Sequence, residues 1–156
     1  MPNWCSNKLV INFTSTEAAK KFATEVEESD SLLESLKPMP DDIYQGQLGD
    51  KEREQYGDKN WYDWSLENWG TKWIESELEV VQDGKRVELT FETAWSPPQE
   101  ALVDTVPQLP GFATAVLMYC EIGTDYVGFT IFDKELPRDL CVGWSDIAEY
   151  YSEIPR

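Results

Sequence analysis

The chain has 156 residues, with 30 acidic side chains against 13 basic ones, no histidine and a net charge of -17. That balance excludes a surface for DNA or RNA phosphates, a surface for anionic lipid, and any dyad or metal site that needs imidazole. A content of 41% hydrophobic and 13% aromatic residues is too high for a disordered chain, and the length fits a single domain over 1–156.

The elements follow in chain order. From Lys8 to Phe13 the residues alternate, with Leu9, Ile11 and Phe13 on one side and Lys8, Val10 and Asn12 on the other, which predicts a half-buried strand. Thr14 and Glu17 fit a capping box, and Ala18, Ala19, Phe22 and Val26 recur at helical spacing, so a helix is expected from Ser15 to about Glu28. Leu32, Leu33 and Leu36 predict a further short turn of helix, stopped by Pro38 and Pro40. Residues 41–60 are polar and aperiodic, with a short helix expected around Asp50 to Gln55. They lead into Trp61, Trp64, Trp69 and Trp73, four of the chain's seven tryptophans. The stretch of about 38–73 therefore reads as a long Trp-rich insertion, and loops of that length are commonly functional.

Asp83-Gly84 predicts a two-residue hairpin turn. With Gln82 opposite Lys85, Val80 faces Val87, Leu78 faces Leu89 and Ser76 faces Phe91 on the buried side. The other side then pairs Glu79 with Glu88, Glu77 with Thr90 and Glu75 with Glu92. Ser96-Pro97-Pro98-Gln99 reads as a helix start with Ser96 as cap, the helix running to about Val106. Phe112 to Ile122 is a long apolar strand, turned back by Gly123-Thr124-Asp125 into a strand from Tyr126 to Phe132. A C-terminal extension of about 133–156 carries a short helix expected from Ser145 to Tyr151. The order is βαββαβ with one extra strand: an α+β, ferredoxin-like antiparallel sheet with helices on one face.

Cys5, Cys120 and Cys141 are sparse, odd in number and far apart, which points to free thiols rather than a disulfide framework or a zinc site. The opening MPNWCSNKLV has no basic region followed by an apolar run, and no stretch reaches the roughly 20 apolar residues of a membrane span. The expected location is cytoplasmic, with no membrane partner, no cofactor and no metal.

Four motifs in order, MPNWCSNKLVI, KPMP at 37–40, NWGTKW at 68–73 and TAWSPP at 93–98, resemble the YubB-like ferredoxin-like proteins of bacterial plasmids and phages, a family of unknown biochemical function. The resemblance spans about residues 1–132. It implies a ferredoxin-like domain of mobile-element origin and assigns no catalytic residue.

Two constellations stand out. Glu75, Glu77, Glu79, Glu88 and Glu92 form a stripe on the sheet face away from the helices, where like charges placed opposite one another destabilise. Duplex DNA carries one charge per roughly 1.7 Å, so a charge of -17 matches about 29 Å of duplex, close to the diameter of a domain this size. The expected function is that of an acidic inhibitor that imitates nucleic acid. It would occupy the basic nucleic-acid groove of a host defence protein, a nuclease or an effector complex, as an anti-CRISPR or anti-restriction protein would. Trp69, Trp73 and Trp95 lie at one end of the hairpin and are candidate aromatic anchors. They also define the alternative, a small-molecule or peptide binding module in which the acidity is incidental. Carboxylates are too abundant for any pair to point to an acid/base enzyme, so no catalytic residue is expected.

Overall fold

The computed structural model describes residues 3–29, 31–73, 76–133 and 138–143. Both the segment read as the tail helix, Ser145 to Tyr151, and Glu75 lie outside the described residues. The elements are β1 (Trp4–Phe13), α1 (Thr16–Glu27), α2 (Leu32–Leu36), α3 (Asp50–Tyr56), α4 (Trp61–Asn68), β2 (Ser76–Asp83), β3 (Arg86–Ala94), α5 (Gln99–Thr105) with a 3-10 turn (Val106–Gln108), β4 (Phe112–Glu121), β5 (Tyr126–Phe132) and β6 (Arg138–Gly143). The strands form one six-stranded antiparallel sheet in the order β2-β3-β1-β4-β5-β6.

The first strand is the centre of the sheet. Leu9 is flanked by Leu89 of β3 and by Leu117 of β4, and all three are fully buried. Their alternation with outward residues fixes one apolar face, and α1 covers it with Ala19, Phe22, Ala23 and Val26. Leu102 and Val106 join the same core from the second crossover, and burying each such side chain contributes about 1.5–3 kcal/mol. A smaller cluster of Leu33, Trp69 and Ala101 joins α2, α5 and the segment after α4.

Three local expectations need correction. The cap of α1 is Ser15, whose hydroxyl accepts from the Ala18 N–H, and not Thr14. Ser96 does not cap α5; it donates to the Gly70 carbonyl at 2.6 Å and so ties the Trp-rich segment to the end of β3. Residues 61–68 form a helix that the aromatic sequence conceals, because Trp and Tyr are mediocre helix formers. The Asn60 side chain starts it, accepting from the N–H groups of Tyr62 and Asp63. No helix among the described residues is long and apolar enough to cross a membrane.

Candidate binding surfaces

The face of the sheet opposite the core is the first candidate site, and its charged edge differs from the stripe expected. The hairpin loop is Gly84-Lys85, so Asp83 pairs with Arg86. Gly84 takes a φ of +57° at the first loop position, where II′ turns place glycine. The register therefore slides by two residues: Val80 faces Leu89, Val81 faces Glu88 and Glu79 faces Thr90. From Leu78 onward a shift of two keeps each side chain on its own face, so Leu78 and Val80 still pack on the core, whereas Ser76, expected opposite Phe91, comes opposite Glu92. It removes the expected glutamate pairs, because Glu88 meets valine and Glu92 meets Ser76. A bulge between Ser76 and Glu79 takes up the remaining offset, with Glu77 at a φ of +54°.

Glu88 is not an isolated anion. Lys8 of the neighbouring strand reaches it at 2.5 Å and Arg86 at 3.0 Å. The Lys8 hydrogen bond first, and the Arg86 hydrogen bond second, hold its carboxyl below the ordinary value of 4.5. The signal for this pair was in the sequence: Lys8 lies on the outward side of the first strand, and that strand pairs with the one bearing Glu88. Of the five stripe residues, Glu79 and Glu92 remain as open-face carboxylates on β2 and β3 without a salt bridge among the described residues.

The other half of this face is apolar. Met118, Phe129 and Leu140 are 41%, 38% and 52% exposed and, with Val127, line a trough of about 510 Å³. Lys8, Ser6 and Thr90 form its polar side. Its shape is set from beneath. At Gly128 the Tyr119 ring lies where a β-carbon would stand, so the glycine lets β5 pass over it. The Tyr119 hydroxyl donates to Asp139 of β6 at 2.9 Å, as Thr130 does at 2.8 Å and Gln99 at 2.7 Å. Burial, reinforced by the Asp139 contact, pushes the Tyr119 hydroxyl pKa up. This node fastens the edge strand, and with it Leu140 opposite Phe129.

The tryptophan motifs meet as the hairpin geometry requires. Thr71 donates to the Ala94 carbonyl at 2.9 Å, beside the Ser96–Gly70 bond. Trp69 is 1% exposed, donates its indole N–H to the Lys37 carbonyl and packs edge-on against Trp64, so it is a structural anchor. Trp73 and Trp95 remain exposed and stack at 6.5 Å between centroids. Trp95 sits at a φ of +69°, held by its N–H to the Asn3 carbonyl and by its own carbonyl to the Tyr126 hydroxyl. Lys72 lies over three rings, 4.3 Å from Trp73, 4.7 Å from Trp95 and 5.5 Å from Tyr62. A pocket of about 300 Å³ opens beside it, lined by Trp61, Trp69 and Trp73, so Trp95 stacks outside the pocket expected to include it.

All three cysteines are free, and burial pushes the Cys5 thiol up to about 11, which leaves it protonated and inert at neutral pH. Among the described residues no group of three or more Cys, Asp or Glu side chains is placed to share a metal ion.

No protein-family model and no curated protein matches the chain. Among solved structures, the crystal structure of protein api92 from Yersinia pseudotuberculosis, assigned to the family model DUF1281, is similar with a TM-score of 0.53. The match covers 92% of this chain and 99% of that one at 10% identity, a likeness of fold alone.

Proposed function

We propose that this is a non-enzymatic, cytoplasmic interaction protein, ferredoxin-like in plan, that seats a basic partner on its open sheet face. The strand order β2-β3-β1-β4, with a helical crossover after β1 and another after β3, supports that plan, and β5 and β6 extend it. The partner class is a host nucleic-acid-binding protein of a defence system, a nuclease or an effector complex, whose basic groove the acidic chain occludes. The observation that carries this reading is the apolar trough on the open face of a chain with a net charge of -17. Unlike charge steers the encounter, and the trough supplies the packing that holds the complex. The weight thus moves from Glu75, Glu77, Glu79, Glu88 and Glu92 as a ladder of phosphate mimics to Met118, Phe129 and Leu140 as the seat.

The test is capture of the partner from a bacterial lysate, followed by assay of its nucleic-acid binding with the chain at saturation. Association should slow steeply between low and high salt. Phe129→Asp should speed dissociation at least tenfold with little change in association. A captured partner that keeps full nucleic-acid binding at saturation overturns the reading.

A further inference from the structure

Lys72 differs from every other described cation. Lys8, Lys21, Lys37, Arg53, Lys59, Arg86 and Arg138 each reach a carboxylate. Lys20, Lys51 and Lys85 are exposed to water. Lys72 is half-buried and, among the described residues, has aromatic rings around it in place of a carboxylate. Such contacts stabilise an ammonium, yet they leave its charge unneutralised. In a chain with 30 acidic residues, a half-buried lysine without a carboxylate among the described residues is conspicuous.

The same lysine forms part of the wall of the 300 Å³ pocket. Trp61, Trp69, Trp73 and Met39 supply its flat apolar walls. The indole N–H groups of Trp61 and Trp69 are consumed by the carbonyls of Gly46 and Lys37. Glu34 at the pocket wall accepts from the Met39 N–H at 3.0 Å. Gln45 adds a neutral amide to the wall, and Lys72 is the cation among the lining residues. A volume of about 300 Å³ is the lower end for small-molecule sites, which are mostly apolar with a few polar groups that fix orientation.

We infer that this pocket binds a small aromatic carboxylate, with its ring between the tryptophans and its carboxylate on Lys72. Glu34 is the carboxylate at the wall and is held by the Met39 N–H; the acidity of the chain farther off does not forbid this, because at physiological salt charges beyond about 8 Å are largely screened. The site is separate from the open sheet face, and the inference stands or falls independently of the function proposed above.

The experiment is calorimetry on the full chain at physiological salt, with 3-phenylpropionate and its neutral amide as probes. The acid should bind with a submillimolar Kd and the amide at least tenfold more weakly, a contrast that needs no variant. Lys72→Gln should bind both alike, Lys72→Arg should restore the preference, and Trp73→Ala should weaken both at least tenfold. Phe129→Asp, on the open face, should change neither. Equal binding of acid and amide by the unaltered chain, no binding at millimolar concentration, or loss of binding in Phe129→Asp overturns the inference.

Discussion

The open sheet face has two halves built on one strand period that share almost no chemistry. On the β2–β3 side the outward positions are Glu79, Val81, Glu88 and Glu92, with Lys8 and Arg86 closing on Glu88. On the β4–β6 side Met118, Phe129 and Leu140 form an uncharged patch, with Arg138 beyond it opposite Ile131. The charged half is held at the surface by contacts that water and salt screen. The apolar half is held from below, by the Tyr119 ring under Gly128 and the donors converging on Asp139. Net charge describes a chain, whereas a partner meets a face, and here the two differ within about four strands.

If the halves differ only above the sheet, the core beneath should not distinguish them. Leu89→Ala lies under the charged half and Leu117→Ala under the apolar half, and each should lose about 2–5 kcal/mol in urea unfolding. A much smaller loss for Leu89 would mean that the charged edge stands apart from the common core. A lesser effect, about 1–3 kcal/mol, is expected for Gly128→Ala, which drives a methyl group into the Tyr119 ring and the Leu140 carbonyl. Hydrogen exchange should show that loss concentrated in β5 and β6, with β2 and β3 amides unchanged. The smallest effect belongs to the charged half. The Glu88 carboxyl is depressed, so its contribution is present above the ordinary glutamate value of 4.5 and is lost as pH falls through the folded value. Lys8→Met should therefore lower the urea midpoint slightly at pH 7 and flatten its decline below about pH 4.5 by the same small amount, the two chains converging in acid. An unchanged acid slope would remove Lys8 from the account.

Much of this plan was legible in the residues, and the failures share one cause. The first five strands, the two crossovers and the meeting of the Trp motifs follow from periodicity, which local sequence carries, whereas β6 (Arg138–Gly143) was not among the expected strands. Beyond the bulge that moves Ser76, the hairpin faces survived an error in the loop, because a slip of two residues preserves sidedness. What did not survive were statements about opposite neighbours: Glu79 and Glu88 are on the expected face yet never meet. The Lys8–Glu88 pair joins residues far apart in the chain, and it needed the strand order as well as the strand pattern. The apolar trough was missed for the same reason, since Met118, Phe129 and Leu140 come from three strands and form a surface only after pairing. Trp61 and Lys72 come together only through the packing of α4 and the segment after it, which composition does not carry, and Trp69, one of the candidate anchors, is buried.

The central place of β1 has a consequence for how the chain is made. Its two partners, β3 and β4, come late, and Leu9 is not flanked on both sides until Leu117 has been synthesised. At roughly 5–20 residues per second, translation leaves this apolar strand waiting for about 5–20 s. Folding cannot proceed outward from the first strand as it emerges; the sheet closes around it only after β4 has been made. Long-range pairing of this kind slows folding and exposes edges to self-association. The nascent chain, more than the finished protein, is where a holding chaperone has most to protect.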